Sequence, residues 1–414
     1  MNYLKTGSGL LFLTLVVFTS VRLIAGVSES LALEDSHELR LNQIQVIGTH
    51  NSYAQPPDLR VMGIMGPRLE AIFSAYVNQM SPEKNAKFKE EHPGLFEMGF
   101  VASLGYIHPP LEYQLRAGLR SLELDMYVDR EGGRFADPLP YQQLREQGAH
   151  DLAPIYDNAL KQPGLKVLHI SDIDFRSHCP TFRICLTQMR QWSDQNSGHT
   201  PVFVMLEPKL PGINKAIPGS ADVDAFTEAD FDEMDSTIID VLGRERVVAP
   251  DDVRGTEASL EDAVLALKNW PTLEKSRGKF VFLLLVPGEN FKALAGYTNN
   301  HPSLKGRMAF MQGRPGMPHT AFVLVDNHLK DPTVIPTLVK QGYLVRSRAD
   351  IDTYEARVND PERRDKTLAS GAHVISTDFF TIPNIYGNGY SVKPFSYGAR
   401  CNPINTQDDC VIDK

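Results

Sequence analysis

The chain has 414 residues, of which 42% are hydrophobic and 22% are charged. This composition is typical of a globular protein with a large core, and it excludes a disordered chain, a coiled coil and a collagen-like polymer. The net charge of −9 argues against a protein that wraps nucleic acid, which needs a basic face, and against simple electrostatic adhesion to anionic lipid.

The first 32 residues are predicted to form a secretory signal peptide. Lys5 precedes an apolar stretch from Gly9 to Ser20, and small residues such as Ala25 and Gly26 follow it. This stretch is shorter than a membrane-spanning helix requires. We therefore expect a secreted protein, with an uncleaved N-terminal anchor as the alternative.

The four cysteines form two local pairs, Cys179 with Cys185 and Cys401 with Cys410. Neither pair has the spacing of a zinc ribbon or a thioredoxin motif. Because an exported chain folds in an oxidising compartment, we expect each pair to form a disulfide, worth about 2–3 kcal/mol for a small loop.

Eight segments after the signal peptide have the composition of β-strands. Most are apolar throughout, as is typical of parallel strands that are covered on both faces. The predicted strands are Ile44–Gly48, Leu119–Asp125, Lys166–Ile170, Val202–Leu206, Phe280–Val286, Phe322–Val325, Tyr343–Arg346 and Val374–Thr377.

Segments that can form helices lie between these strands. The predicted helices are Pro110–Ala117, Tyr141–Lys161, Thr181–Gln195, Thr227–Leu242, Glu257–Leu267, Pro332–Lys340 and Ile351–Ala369. Alternation of helices with eight strands predicts an α/β fold, a (β/α)₈ TIM-type barrel, in one catalytic domain over residues 33–414. A doubly wound open sheet is the alternative, but the glycine-rich phosphate turn that normally follows its first strand is missing.

Two segments are longer than ordinary loops. Residues 54–109 follow the first strand as an insertion, and residues 379–414 follow the last strand as a C-terminal extension. We expect both at the C-terminal face of the barrel, where such enzymes place their active sites. The insertion, rich in Met, Pro and aromatic residues, is predicted to form either a lid or hydrophobic rim, or a helical unit packed on the side of the barrel.

Polar side chains with catalytic potential lie where the first four predicted strands end. These side chains are His50, Asn51, Glu123, Asp125, His169 and Glu207. Residues i and i+2 of a strand point to the same side, so Glu123 and Asp125 should face one side while Leu122 and Leu124 face the other. In a barrel the strand ends converge, so we expect the whole set at one mouth.

This set of side chains favours a hard cation. Three neighbouring carboxylates would repel one another unless a cation lay between them. Carboxylate and amide oxygens are ligands of Ca²⁺ or Mg²⁺, not of Zn²⁺. Two imidazoles add proton transfer near neutral pH. A hard cation with two histidines, and without a Ser or Cys nucleophile, fits phosphodiester cleavage.

Four sequence blocks resemble the catalytic barrel of the calcium-dependent phosphoinositide-specific phospholipase C superfamily. Residues 48–53 (GTHNSY) resemble the block in which a histidine precedes a calcium-binding asparagine, and residues 116–125 resemble the block with two calcium ligands. Residues 167–169 match the block with the second histidine, and residues 200–207 resemble the strand with the last calcium ligand. The chain is similar in style to the stand-alone, secreted members.

The resemblance implies a PLC-like phosphodiesterase barrel that requires Ca²⁺. It assigns the metal ligands as Asn51, Glu123, Asp125 and Glu207, and the catalytic residues as His50 and His169. In the implied reaction the inositol 2-hydroxyl attacks phosphorus, with Glu123 or Glu207 as base. His50 stabilises the phosphorane and His169 protonates the leaving oxygen, which gives diacylglycerol and a cyclic inositol phosphate.

The second half of the chain adds two candidate substrate-binding residues, Lys209 and Arg346. Arg346 resembles the arginine that contacts the inositol head group, and Lys209 follows the last predicted calcium ligand. Arg348 stands where eukaryotic members carry a ring-stacking tyrosine, and the strand at 280–286 lacks their phosphate-binding lysines. We therefore expect unphosphorylated phosphatidylinositol, or another phosphodiester, as substrate.

The sequence is also compatible with two other functions. A glycerophosphodiester phosphodiesterase shares the barrel, metal and paired histidines, although that family has an Arg-Gly pair where Asn51 follows His50. A non-catalytic lipid- or sugar-binding barrel is the other alternative. For the leading hypothesis we expect a monomer that meets its phospholipid at a membrane or micelle surface, with no nucleic-acid partner.

Overall fold

The structure is a computed structural model that describes residues 38–155, 157–266 and 269–413. The predicted signal peptide, residues 1–32, lies outside the described residues. Among those that are described, no helix has both the length and the apolar character needed to span a bilayer.

The described residues form ten β-strands. In chain order they are β1 Ile44–Thr49, β2 Ser121–Tyr127, β3 Lys166–Val167, β4 Val202–Pro208, β5 Phe280–Leu284, β6 Ala309–Met311, β7 Phe322–Leu324, β8 Leu344–Arg348, β9 Val374–Thr377 and β10 Arg400–Cys401.

The α-helices of the described residues are mostly short. In chain order they are α1 Leu59–Asn78, α2 Pro82–Glu91, α3 Pro93–Met98, α4 Phe100–Ser103, α5 Leu111–Arg116, α6 Leu139–Glu146, α7 Asp157–Leu160, α8 Phe182–Gln195, α9 Glu228–Leu242, α10 Pro250–Arg254, α11 Leu260–Leu265, α12 Leu273–Ser276, α13 Ala295–Thr298, α14 Val334–Lys340, α15 Tyr354–Val358 and α16 Glu362–Ala369. Short 3₁₀ turns occur at Leu41–Gln43, Ile213–Ala216, Arg244–Arg246, Pro287–Glu289, Pro302–Leu304 and Ser396–Gly398.

Eight parallel strands form a nearly closed barrel in the order β6-β5-β4-β2-β1-β9-β8-β7. A parallel bridge between Gln312 and Phe322 joins the end of β6 to β7 and brings the two edges together. Every residue of β1, β2, β5 and β9 is buried, which explains why apolar residues predominate in β1 and β5. The predicted (β/α)₈ barrel is confirmed.

One predicted strand was wrong and one barrel strand was missed. In the predicted segment Lys166–Ile170 only β3 is a strand, and it pairs antiparallel with β2 outside the barrel. The chain turns directly after it, because Ile170 and Asp174 exchange backbone hydrogen bonds. The eighth barrel strand is β6, which has only three residues and is too short to show a periodicity.

The insertion at 54–109 is helical, as one of the two alternatives predicted. It contains α1 to α4, and α1 packs its apolar side chains Val61, Met65 and Leu69 into a second hydrophobic cluster with residues that follow β2 and β3. The insertion is therefore anchored on the segments around the C-terminal mouth of the barrel. The chain then returns towards the barrel through Tyr106 and His108, which are both buried.

Both expected disulfides are present. Cys179 is joined to Cys185 and Cys401 to Cys410, with Cα–Cα distances of 5.0 and 6.2 Å. The first closes the loop before α8. In the C-terminal extension, β10 pairs antiparallel with the start of β1, so the extension reaches the N-terminal end of the barrel.

Gly48 allows β1 to approach β2 closely, and this contact can be tested. A Cβ atom at Gly48 would lie 2.2 Å from the Cβ of Ser121 and 2.3 Å from its carbonyl oxygen. We expect Gly48→Ala to lower the free energy of unfolding by about 1–3 kcal/mol, as overpacking in a core does. Urea denaturation measures this change.

Gly63→Ala is the matched control, because no atom lies within 4 Å of a Cβ at that position in α1. In a helix this change should stabilise the protein slightly, by about 0.5–1 kcal/mol. Equal midpoints for the two variants would contradict the close contact between β1 and β2.

Candidate active site

The turn after β1 carries His50 and Asn51 and is fastened to β2. Asn51 has a φ of +45°, a conformation that asparagine tolerates better than most residues. The Ser52 amide donates to the Glu123 carbonyl (3.0 Å), and the Glu123 amide donates to Ser52 Oγ (2.8 Å). The first histidine is thereby held in register with the strand that carries the carboxylates.

The buried side chain of Gln114 stabilises this turn through hydrogen bonds. Its amide nitrogen donates to the Ser52 carbonyl (2.6 Å), and its oxygen accepts from the Thr49 hydroxyl (2.5 Å). Thr49 and Ser52 also join their hydroxyl groups at 2.6 Å. Polar groups buried in such a satisfied network hold one geometry.

Three carboxylates converge at the ends of β2 and β4. Asp125 is the register partner of Glu207 on the neighbouring parallel strand, and Glu123 lies two residues before Asp125 on the same side. One oxygen from each of the three residues lies within 4.8 Å of the others. The convergence expected from the strand ends is therefore present.

The Asn51 amide lies against this cluster. One of its terminal atoms is 2.5 Å from the Tyr106 hydroxyl, and the other is 3.1 Å from both carboxylate oxygens of Asp125. With nitrogen towards Asp125, the amide donates to the carboxylate. With oxygen towards Asp125, it adds a fourth oxygen ligand to the cluster.

Burial and the positive neighbours of the cluster act in opposite directions on the pKa values of its carboxylates. Burial raises the pKa of Glu123 and raises the pKa of Asp125 to about 6. The Lys209 ammonium lies 2.6 Å from Asp125 and 2.8 Å from Glu207, while the Arg346 guanidinium lies 3.2 Å from Glu123. Arg346 is also bonded to Asp326, so its charge is shared.

The donor set fits Ca²⁺ in chemical terms. It consists of oxygen atoms only, three of them from carboxylates that are close enough to share one ion. A divalent cation would keep the buried carboxylates ionised, and water or substrate oxygens would complete its usual six to eight ligands.

His50 is held by an acid from the far side of the mouth. Its Nδ1 lies 3.3 Å from Asp378, and its Nε2 lies 3.9 Å from Glu123. Asp378 also contacts Arg348 at 3.5 Å and His108 at 3.4 Å. Burial, with Arg348, lowers the pKa of His50, and Asp378 opposes this shift. The ring is thus oriented with Nε2 towards the carboxylates.

His169 is held by a different acid. Its Nδ1 lies 2.9 Å from Asp174 and 3.3 Å from the Tyr106 hydroxyl. The rings of His50 and His169 have centroids 6.4 Å apart and are nearly perpendicular. The sequence predicted His169 at the end of a barrel strand, but His169 lies just after β3, outside the barrel. The tight turn at 170–174 brings Asp174 back beside it.

A family model of Ca²⁺-dependent phosphoinositide phospholipase C matches residues 39–403, which is most of the chain. The chain belongs to this family. It is therefore a calcium-dependent phosphoric diester hydrolase of the phospholipase C type, with a lipid substrate. The match favours this function over the glycerophosphodiester phosphodiesterase and the non-catalytic barrel.

Similar solved structures include two bacterial enzymes. A calcium-dependent phosphoinositol-specific phospholipase C from Pseudomonas sp. is 14% identical, with a TM-score of 0.48 over 88% of this chain and 96% of that one. A Ca²⁺-dependent phosphatidylinositol-specific phospholipase C from Streptomyces antibioticus is 18% identical, with a TM-score of 0.46 over 84% of this chain and 98% of that one. No curated protein matches the sequence.

The two predicted substrate-binding residues occupy different depths of this phospholipase. Lys209 is half-buried at the edge of the carboxylate cluster. Arg346 is buried, and its guanidinium contacts Glu123, Asp326 and Ser376. The first lies nearer to the mouth and the second forms part of the floor.

The sequence interpretation missed the side chains that surround the histidines in this phospholipase. Asp378 directly follows the last predicted strand, so the strand-end criterion would have found it. Asp174 belongs to the turn that follows the predicted strand Lys166–Ile170, and Tyr106 and His108 belong to the insertion. No local sequence signal places these three at the mouth.

Calcium binding by this phospholipase can be measured as thermal stabilisation. At a Ca²⁺ concentration about one hundred times the dissociation constant, we expect the Tm to rise by roughly 3–4 °C. Asp125→Asn should abolish this rise, because it removes a ligand charge from the centre of the cluster. Differential scanning calorimetry with and without a chelator measures both shifts.

Asp151→Asn is the control for this measurement, since Asp151 is 85% exposed and pairs only with Arg60 among the described residues. It should retain the full shift. A calcium-dependent rise in Tm that survives Asp125→Asn would place the cation elsewhere.

Proposed function

We propose that the barrel mouth cleaves phosphatidylinositol with His50 and His169 as catalytic residues. Two half-buried imidazoles, each oriented by its own carboxylate, stand beside three carboxylates that share one cation-sized space. This single arrangement supports the proposal. The products are diacylglycerol and a cyclic inositol phosphate.

The metal ligands in this proposal are Asn51, Glu123, Asp125 and Glu207. Bound there, Ca²⁺ supplies Lewis-acid stabilisation of negative charge on the phosphoryl oxygen and lowers the pKa of the attacking hydroxyl. The chain provides a set of oxygen ligands for the ion and places both imidazoles beside it.

The two histidines take different roles because their surroundings differ. Asp378 accepts from Nδ1–H of His50. Burial lowers the pKa of this ring, whereas Asp378, Glu123 and the anionic phosphate of a bound substrate favour its protonated form, in which Nε2–H points at the phosphoryl oxygens and stabilises the phosphorane. Asp174 accepts from Nδ1 of His169, so Nε2 of that ring protonates the leaving diacylglycerol oxygen. When water opens the cyclic phosphate, His169 takes the proton back.

Glu207 is the better candidate for the base that removes the proton of the 2-hydroxyl. Its side chain is 26% exposed, whereas that of Glu123 is 2% exposed and is bonded to Arg346. A substrate that enters from the mouth reaches Glu207 first. Lys209 and Arg346 then provide positive charge for the phosphate from the edge and the floor of the site.

We further propose that the enzyme is exported and consists of a single domain. Residues 1–32 act as a signal peptide, and residues 33–414 form a single secreted catalytic domain that works as a monomer. The two disulfides are consistent with export. The substrate inositol is unphosphorylated, because the end of β5 is followed by Leu285, Val286 and Pro287 and offers no lysine there.

Exposed apolar side chains at the mouth suit a lipid surface. Ile107 is 40% exposed beside Tyr106, while Ile382 and Ile385 are 55% and 50% exposed after Asp378. The Tyr386 hydroxyl donates to the Gly105 carbonyl and ties the two segments together. We call these three isoleucines the apolar rim, and we propose that the rim enters the membrane beside the active site.

Loss of either histidine should abolish turnover. We expect His50→Ala and His169→Ala to lower kcat on phosphatidylinositol micelles by about 10²–10⁴-fold, the usual contribution of a positioned acid or base. Phosphorus NMR identifies the products, and a chelator should stop the reaction of the unaltered enzyme.

The exposed His150 supplies the control variant, His150→Ala, which should keep full activity. Turnover that persists in both site variants, or that is equal in chelator, would refute the mechanism. Release of glycerol phosphate from deacylated lipid, with intact lipid untouched, would instead support the glycerophosphodiester alternative.

The apolar rim should matter only when the substrate lies in a membrane. We expect the double variant Ile382→Asp, Ile385→Asp to lose about tenfold or more of its activity on phosphatidylinositol vesicles, because each buried isoleucine contributes about 1.5–3 kcal/mol. Its activity on a short-chain, monomeric phosphatidylinositol should be unchanged.

Leu265→Asp is the control, since Leu265 is also apolar and is 46% exposed. Its helix, α11, lies at the N-terminal end of the barrel, because Glu261 of this helix accepts a hydrogen bond from Tyr343, which directly precedes β8. A rim variant that behaves like Leu265→Asp on vesicles would show that the rim does not meet the membrane.

A further inference from the structure

The Lys209 side chain folds back onto the carboxylate cluster. Its ammonium nitrogen lies 2.6 Å from Asp125 Oδ2 and 2.8 Å from Glu207 Oε1. The Lys209 amide donates to the Met126 carbonyl at 2.8 Å, which extends the β2–β4 ladder by one bond. The backbone is therefore fixed, and only the side chain can change its position.

Lys209 compensates two of the three carboxylates. Among the described residues, Asp125 and Glu207 form ion pairs only with Lys209. Glu123 instead pairs with Arg346 and His50. Removal of one partner from a buried ion pair leaves an uncompensated charge, which is strongly destabilising. Without a metal ion, the ammonium therefore serves as the counter-ion of the cluster.

The ammonium and a divalent cation compete for the same oxygens. Ca²⁺ binds carboxylate oxygens at about 2.3–2.6 Å, and Lys209 already approaches two of these oxygens to hydrogen-bonding distance. Two positive charges side by side repel more strongly in a partly buried site than in bulk water. The ammonium and the cation therefore cannot both occupy this position.

Lys209 is the group that can move. Its flexible four-carbon stem is half-buried at the mouth. Arg346 is buried, and its planar guanidinium is held by Glu123, Asp326 and Ser376 on three sides. Displacement of Lys209 costs two ion pairs that the metal replaces, whereas displacement of Arg346 would also leave Asp326 unpaired.

We propose that Lys209 is a resident counter-ion that Ca²⁺ displaces, and that its ammonium contacts the substrate phosphate only after this displacement. The inference rests on the proposed calcium site. It has two consequences. Lys209 weakens calcium binding relative to the same four oxygens without it, and the phosphate contact is available only in the metal-loaded enzyme.

Calorimetric titration of the chelator-treated protein with CaCl₂ tests the first consequence. We expect Lys209→Met to bind Ca²⁺ about tenfold or more tightly than the unaltered protein, because the competing charge is gone. Lys209→Gln, which removes the charge but keeps a polar side chain, should also bind Ca²⁺ more tightly. It provides a second test in case the methionine variant does not fold.

Lys292→Met is the control, because it removes the same charge from an exposed position after β5. It should leave the calcium affinity unchanged. Equal or weaker calcium binding by both Lys209 variants, alongside normal binding by the unaltered protein, would overturn the inference and leave the proposed function intact. Absence of calcium binding in all four proteins would overturn the calcium site itself, and the inference with it.

Amine labelling with mass spectrometry tests the displacement directly in the unaltered protein. Lys209 should react slowly with acetic anhydride in chelator and faster in Ca²⁺, since its ammonium leaves the carboxylates. Lys292 should react at the same rate in both conditions. An unchanged rate at Lys209, with calcium bound, would overturn the displacement.

Discussion

Mutual repulsion among three carboxylates at the ends of β2 and β4 is the constraint that organises this barrel mouth. Glu123, Asp125 and Glu207 are placed together by strand register and pleat, so the fold itself imposes their proximity. Buried carboxylates in this arrangement need positive charge close by. The surrounding residues follow from this need: Lys209 from the end of β4, Arg346 from β8, and a space that suits a divalent cation.

The two histidines are oriented independently of one another. Asp378 follows β9 and holds His50, while Asp174 lies in a turn after β3 and holds His169. An imidazole whose Nδ1 is engaged by a carboxylate has a defined tautomer and presents Nε2 to the reaction. Separate supports fit the different roles that we propose for the two rings, with His50 directed at the phosphoryl oxygens and His169 at the leaving oxygen.

The insertion after β1 links this chemistry to the surface. It packs on the segments around the mouth through the second hydrophobic cluster. At its end, the Tyr106 hydroxyl contacts the side chains of Asn51 and His169. The same stretch exposes Ile107, and the segment after Asp378 exposes two more isoleucines. Polar site and apolar rim are thus built from the same two loops, which suits an enzyme whose substrate has a polar head group and a lipid body.

Much of the fold and part of the site could be predicted from the sequence, because both depend on local periodicity. The alternation of apolar strands with helices indicated a barrel, and the spacing of Glu123 and Asp125 placed both on one face. The short spacing of each cysteine pair indicated two local disulfides. These properties need only neighbouring residues, so the sequence alone determined them.

The tertiary structure decided what depends on distant parts of the chain. β6 is a strand because its neighbours close the barrel, and Lys166–Ile170 is mostly not one because the chain turns back at Asp174. Arg346 meets Glu123 across the barrel although 223 residues separate them. Pairings of this kind arise only when the strands close on one another, since local sequence defines which face a side chain occupies but not which side chain it meets there.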